Sequence, residues 1–506
     1  MLKDGKILVG KGEKEAFILP EMANRHGLIA GATGTGKTIT LKVMAESFSA
    51  MGVPVFLADV KGDLSGCCKP GEESDSLNKR LSKLGIDDFE YRRFPVRFWD
   101  VFGEGGHPVR TTVSEMGASL LSRLLGLTEV QAGVLAIVFR VADDRGLLLT
   151  DLKDLRAMVS YVSEHSQELL NEYGNVSKQS AGAIQRALLQ LEDAGGTLFF
   201  GEPSIQLSDW MQQDEKGNGY INIFHCAKLY RSPLLYSTFM LWLLAELFEE
   251  LPEIGDPEKP KLVFFFDEAH LLFKDAKKVL IDQVEQVVKL IRSKGVGVYF
   301  ISQQPSDISQ AVLAQLGNRV QHALRAYTPS EQKAIRAAAN SFRTNPNFNT
   351  EEAITALGTG EALVSFLDEK GIPCVVERAT ILPPQSMMGI IDDDRRKAEI
   401  EADELYGVYE EALDNESAYE VLKGEREALE AEKAEQLEKE EAEKKAAEEA
   451  KKKEKEEKQK EKEKAASTKK KKNALSKVTS STMNTIGREI GKSVARGLLG
   501  TIKKLF

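Results

Sequence analysis

Four cysteines in 506 residues leave little material for a disulfide framework. Cys67, Cys68, Cys226 and Cys374 form no Cys-x-x-Cys pair, and no histidine cluster lies near them. That argues against a structural zinc site and a secreted disulfide scaffold, and free thiols in a reducing, cytoplasmic setting are expected. The N-terminus, MLKDGKILVGKGEK, lacks an apolar h-region, so no secretory signal is predicted. No apolar run is long enough to span a bilayer. Leu234 to Phe248 is too short and contains Glu246, which predicts a buried helix. A positive charge balance is missing too. The formal net charge of −10 excludes a uniformly basic nucleic-acid coat, though not a local basic channel. No repeat of fixed period appears.

What is present is a chain of ordinary globular composition, 42% apolar and 29% charged, with a length that suggests about three domains. Residues 1 to 385 alternate short β-rich runs with helical patterns. Strands are predicted at Gly27–Ala30, Val53–Ala58, Tyr220–Phe224, Lys261–Phe266, Val296–Ser302, Arg319–Ala326, Ala362–Leu367 and Cys374–Ile381. Several are continuous apolar runs, as strands covered on both faces require. The alternation predicts an α/β fold, a mostly parallel sheet between helices. Residues 60–215 break the rhythm, with helical periodicity at 114–141, 150–170 and 177–194. They are expected to form a largely helical insertion after the second strand.

The sequence HGLIAGATGTGKTITLKVMAES contains G-x-x-x-x-G-K-T, with an apolar strand before it and an amphipathic helix after it. That context makes it a phosphate-binding loop, the mark of a P-loop NTPase. Glycines at 31, 34 and 36 let the backbone curl and aim its N–H groups at phosphate oxygens. The helix starting near Lys37 adds its positive end. Gly31, Ala32, Thr33, Gly34, Thr35, Gly36, Lys37, Thr38 and Ile39 are therefore the predicted ATP contacts. Lys37 reaches the β- and γ-phosphates, and the Thr38 hydroxyl is a ligand of Mg2+. In KLVFFFDEAHLLF, Asp267 and Glu268 end an apolar strand, where ligands of open α/β sheets sit. Asp267 is predicted to hold the magnesium shell, and Glu268 to activate the attacking water. His270 is expected to be structural, with γ-phosphate sensing as the alternative.

Three further groups stand at strand ends. Ser302 and Gln303 close VGVYFISQQPSDI, where a polar side chain can touch the γ-phosphate or its water. Arg319, Arg325 and Arg292 are candidates for an arginine finger, Arg319 first. Asp59 and Lys61 in FLADVKGDLSG follow the second strand, and a turn explains them as well as a site does. Asp63 to Gly66 mimics a GTPase D-x-x-G, but no N-K-x-D guanine-reading motif is present, so ATP is expected over GTP.

Taken in order, HGLIAGATGTGKT, VPVFLADVKGDLSG, VFFFDEAHLLF, VYFISQQPSDI and LGNRVQHALRAYTP resemble the HerA–FtsK superfamily of P-loop ATPases, and more narrowly the bacterial HerA-like family DUF853. The resemblance covers residues 1–385. It implies an additional-strand ATPase fold, frequently a ring hexamer, with members that pump double-stranded DNA. It also implies Gln303 as the polar residue after the third core strand and an arginine finger acting in trans. There are two departures: the HerA helicases carry a β-barrel ahead of the ATPase core, where only 30 residues precede Gly31 here, and the overall charge is acidic. Translocation of DNA is therefore an analogy at the level of the fold.

The C-terminal quarter changes character. Residues 386–424 are acidic and helical in pattern. Residues 425–472 are almost entirely Glu, Lys, Ala and Gln. They predict a solvated helix or charged linker, without the apolar stripe of a stable coiled coil. In 473–506, Ile486, Ile490, Val494, Leu498 and Ile502 recur every four residues, opposite Arg488, Lys492 and Arg496. This basic amphipathic helix is expected to dock on a protein partner or, peripherally, on an anionic membrane surface. The alternative to a DNA motor is thus an ATP-driven protein remodeller or switch at a membrane. A structural protein with a dead site is disfavoured by the intact Lys37, Thr38, Asp267 and Glu268.

Overall fold

Unbroken apolar strands need cover on both faces, and the strands beside the phosphate loop receive it. The computed structural model describes residues 1–273 and 278–472. Thirteen strands form one sheet: β1 Leu2–Lys3, β2 Lys6–Lys11, β3 Glu15–Ile18, β4 Gly27–Ala30, β5 Val55–Asp59, β6 Val96–Asp100, β7 His107–Pro108, β8 Ile221–His225, β9 Leu262–Phe266, β10 Val296–Ser302, β11 Asn318–His322, β12 Glu361–Ser365 and β13 Glu377–Ile381. The order is β1-β2-β13-β12-β11-β4-β10-β9-β5-β8-β6-β7, with β3 on β2. From β11 to β7 all pairings are parallel. The other flank is antiparallel. The expected mostly parallel sheet between helices is therefore the fold.

β10 lies between β4, which enters the phosphate loop, and β9, which ends at Asp267. This is the additional-strand order that the resemblance implies. In β9 the pleat sends Phe264 and Phe266 into one core and Val263 and Phe265 into the other. Phe265 stacks on Tyr299 and Phe266 on Phe300 across the β9–β10 pair, with centroids 5.1 and 5.5 Å apart. Burying such a side chain contributes about 1.5–3 kcal/mol, so the parallel centre is the stiffest part of the sheet.

Several expectations need correction. The insertion is not only helical. Its β6 and β7 extend the sheet beyond β8. β1 to β3, also unforeseen, build the antiparallel flank. The run expected as strand over Arg319–Ala326 leaves the sheet after His322. The helix α1, Lys37–Ala50, is not amphipathic but buried on almost every side. Its Glu46 carboxylate accepts hydrogen bonds from the Gln385 and Ser386 N–H groups at 2.7 and 3.2 Å, because residues 383–391 run across it. The helix Pro233–Glu250 is buried, as its composition requires.

Residues 386–424 are helical only at Asp393–Glu401 and from Ala418 onward, and they belong to the same compact unit as the sheet, Met1–Gly424. They bind it through buried polar contacts. Arg97 Nε donates to both carboxylate oxygens of Asp403 at 3.1 Å. His107 Nδ1 lies 2.6 Å from Glu410 Oε1. Arg110 donates to the Tyr409 carbonyl at 2.7 Å. A helix runs over Ala418–Lys472, and its side chains from Glu425 to Lys464 are exposed. The basic segment 473–506 lies outside the described residues. Among the described residues no helix is long and apolar enough to cross a membrane.

Candidate nucleotide site

The entry of the loop Gly31–Gly36 is tied to the strands on either side of β4. The Gly31 N–H donates to the Ser302 carbonyl of β10 at 3.2 Å, and the Ala32 N–H to Ala323, just past β11, at 2.9 Å. Gly34 and Gly36 have φ of 77° and 115°, left-handed values that favour glycine. Gly31 is required by close approach instead, since a Cβ there would lie 2.5 Å from the Cβ of His322. Thr35 Oγ1 donates back to the Ala32 carbonyl at 2.7 Å. α1 begins at Lys37, so its first N–H groups and positive end meet the loop. Thr33 is exposed at the loop's rim, and Thr38 is half-buried on the first turn. Ile39 faces away, packing with Leu8, Val43, Leu84 and Leu382.

Lys37 Nζ folds over the loop and donates to the Gly31 and Ala32 carbonyls at 2.6 and 3.1 Å. Burial lowers its pKa, opposed by the charges of Glu268 and Asp267. The parallel β4–β10–β9 pairing brings the helix-start lysine and the strand-end carboxylates to the same edge of the sheet although they are far apart in the chain. Asp267 is buried, and burial pushes its carboxyl up to about 6, against the pull of Lys61. Burial also pushes the neighbouring Asp59 up to about 7, and Asp63 Oδ1 is buried without a hydrogen-bond partner. Lys61 compensates these carboxyls only in part, an environment that suits a divalent cation. Among the described residues no cluster of three ligands could hold a metal alone. That fits Mg2+, which takes one or two carboxylates and completes its shell with phosphate and water. Thr38 and Asp267 are the residues that would hold it.

Glu268 follows with φ 48° and ψ 46°. Lys61 Nζ donates to its Oε1 at 2.5 Å, and His270 Nδ1 lies 3.2 Å from Oε2. Burial raises the Glu268 pKa, but the Lys61 hydrogen bond and charge outweigh it and keep the group below the usual range. Gln303 is exposed on the turn after β10. Asp307 ties that turn down by accepting from Ser302 Oγ at 2.6 Å and from the Gln304 N–H at 3.1 Å. A cleft of about 890 Å³ lies beside the loop, with Ala32, Thr33, His270, Gln303, Asp307 and Arg325 in its walls, and Lys37, Thr38, Asp267 and Glu268 do not line it.

The arginines separate. Arg319, ranked first from sequence, spends its guanidinium on three backbone carbonyls, Leu316, Ser341 and Leu313, at 3.0, 3.0 and 2.9 Å. That ties the chain around β11 and is a structural task, which corrects the ranking. Arg292 pairs with Asp256 at 2.7 Å, away from the cleft walls. Arg325 is exposed and lines the cleft.

Two supports were not foreseen. His322 lies under the loop, 2.8 Å from Thr40 Oγ1 and 3.0 Å from the Glu361 carbonyl. Arg80 donates to the carbonyls of Gly360 and Ile381 at 2.7 and 3.1 Å, and Gly360 N–H donates to Thr35 at 2.9 Å. His322 stands within a stretch that carried the resemblance, but nothing in local spacing marks a loop buttress. Arg80 is a surface-type residue in a helix and gives no signal.

The family described as Helicase HerA-like C-terminal matches residues 4–505. The DNA double-strand break repair helicase HerA of Sulfurisphaera tokodaii is 21% identical over 385 residues, 72% of this chain and 67% of that protein. The chain thus spans about two-thirds of that relative's length. A probable helicase of Methanocaldococcus jannaschii, MJECL08, is 33% identical over 120 residues, 23% of this chain and 21% of that one. Among solved structures, VirB4 of Thermoanaerobacter pseudethanolicus superposes with a TM-score of 0.49 at 16% identity, over 76% of this chain and 97% of that one. The plasmid coupling protein TrwB, in complex with a non-hydrolysable GTP analogue, gives 0.49 at 16%, over 78% and 92%. With the phosphate loop, the carboxylate pair and the inserted strand β10 all in place, the chain belongs to the Helicase HerA-like C-terminal family and is a P-loop ATPase.

Proposed function

We propose that this ATPase is a motor acting on duplex DNA, with Lys37, Asp267 and Glu268 as the centre of its hydrolytic site. The observation that carries the reading is the strand order: β4, which leads into the loop and Lys37, and β9, which ends at Asp267 and Glu268, flank β10 in parallel, so their carboxyl ends open on the same edge of the sheet. The loop N–H groups and the α1 terminus bind the β- and γ-phosphates, and Lys37 exchanges its carbonyl partners for phosphate oxygens. Bound Mg2+ supplies charge neutralisation for the bridging oxygens. Glu268 accepts a proton from the attacking water as its oxygen bonds to the γ-phosphorus and the bond to the β-phosphate oxygen breaks, leaving ADP and phosphate. Gln303 orients that water from the turn that Asp307 holds. An arginine from a neighbouring subunit of a homo-oligomeric ring stabilises the transferred charge; Arg325, exposed in the cleft wall though its guanidinium donates to the Thr355 and Leu357 carbonyls at 2.5 and 3.4 Å, is the candidate that faces the cleft. The work on DNA is supported by the family and by the helicase named among its relatives.

The test is ATP hydrolysis with and without duplex DNA across a salt series. Acceleration by DNA that fades as salt rises is expected, because phosphate contacts release counterions. No acceleration at low salt with any DNA form removes the motor reading. The alternative, a remodeller of protein at a membrane, draws on the basic pattern of 473–506. It predicts acceleration by anionic vesicles instead.

A further inference from the structure

The turn after β5 brings a second ammonium to the site, one that phosphate binding leaves without a task. Its shape is fixed from within. The buried Asp59 carboxylate accepts from the Gly62 and Leu64 N–H groups at 2.7 and 3.2 Å, and Ser65 Oγ donates to the Gly62 carbonyl at 3.0 Å. Gly62, with φ of 80°, supplies the left-handed residue such a tight turn needs. Lys61 is thereby carried over the end of β9, where its Nζ donates to Glu268 Oε1 at 2.5 Å. The other oxygen, Oε2, is buried without a hydrogen-bond partner and faces His270 Nδ1 at 3.2 Å. The backbone of Glu268 is itself left-handed, with φ of 48°, a conformation that a glutamate keeps only when its surroundings hold it there.

A general base must offer a free lone pair to the water it deprotonates. Here Oε1 is committed to an ammonium and Oε2 points into buried space. The carboxylate is at the site, but the ammonium takes one lone-pair site of Oε1 and Oε2 is buried, so the approach of a water is narrowed while the contact lasts. We propose that Lys61 is a positioning residue that restrains Glu268, keeping basal ATP turnover low until the Lys61–Glu268 contact opens. The inference rests on the reading of Glu268 as the group that activates water.

The two partners are unequal in a way that suits release. The Lys61 side chain is 45% exposed and that of Glu268 11%. A half-exposed ion pair on a flexible stem is weak, and the lysine can swing into solvent. Glu268 remains where β9 and its turn place it. The same swing carries the ammonium away from Asp267, whose charge it also balances.

Steady-state hydrolysis by the full chain at saturating Mg2+, with and without duplex DNA, tests this in wild type, K61M, K61R and E268Q. K61M is expected to raise kcat several-fold without DNA, to leave KM for ATP unchanged, and to shrink the DNA-stimulated ratio. K61R, which restores the ion pair, is expected to behave as wild type. A lower kcat in K61M shows that Lys61 assists the chemistry, and a higher KM shows that it grips nucleotide. Either result overturns the restraint and leaves the ATPase reading standing. Full turnover in E268Q, or none in wild type, overturns the role of Glu268 and the restraint with it. Should K61M not fold, K61Q carries the same expectations.

Discussion

Single side chains decide whether the site holds a nucleotide and whether it turns one over. Removing the Lys37 ammonium takes away the cation that the loop is shaped around, so Lys37→Ala should abolish ATP binding in calorimetry. Glu268→Gln keeps the shape but cannot accept a proton. ATP binding should stay near wild type while turnover falls by about 100-fold or more. Acid stability also resolves at this scale. His26 Nδ1 accepts the Val298 N–H at 3.0 Å, so the buried ring is held neutral, and burial lowers its pKa from 6.5 to about 4. Above pH 6.5 the ring is neutral folded and unfolded, and its contacts count in full. As pH falls from 6.5 toward 4, the unfolded chain takes up a proton that the native one refuses, and stability is lost by roughly 1.4 kcal/mol per pH unit. His26→Asn keeps an acceptor and tolerates the left-handed φ of 54°. Urea titrations should therefore show the variant losing less stability than wild type between those pH values.

Among elements, those legible in the sequence were the ones whose burial is local. GLIA, VFLAD, LVFFF and VGVYFIS are apolar at nearly every position because both faces are covered. β6, VRFWD, was missed because its burial depends on distant partners. Arg97 is wholly buried only because Asp403, the Asp209 carbonyl and Gln212 receive its N–H groups. No local pattern announces a carboxylate supplied from the far end of the body. The site divides likewise. The phosphate loop and the Asp267–Glu268 pair follow from chemistry written in adjacent residues. His322, Arg80 and the clasp of Lys61 on Glu268 follow from topology. Asp403→Ala strands the buried guanidinium, and the expected loss is about 3–5 kcal/mol in chemical denaturation.

For the whole molecule, the boundary that matters lies at Gly424 and not at 385. Residues 386–424 close over β6, β7 and the insertion, and Ala418 and Leu422 are buried against them. A chain ending at 424 should keep the melting temperature of the full protein. One ending at 385 loses the partners of Arg97, His107 and Arg110 together, and should melt many degrees lower or fail to fold. Composition alone set 386–424 apart as an acidic segment, helical in pattern.

The two hydrogen bonds that pin the phosphate loop to β10 and β11 carry a mechanical consequence. A loop stitched on either side cannot change shape alone. Any displacement of the loop's entry on loss of a terminal phosphate would therefore be felt at the strand ends bearing Gln303 on one side and Arg325 on the other. Gain and loss of the terminal phosphate are thereby coupled to the rim of the cleft, where the next protein or nucleic-acid surface would feel them.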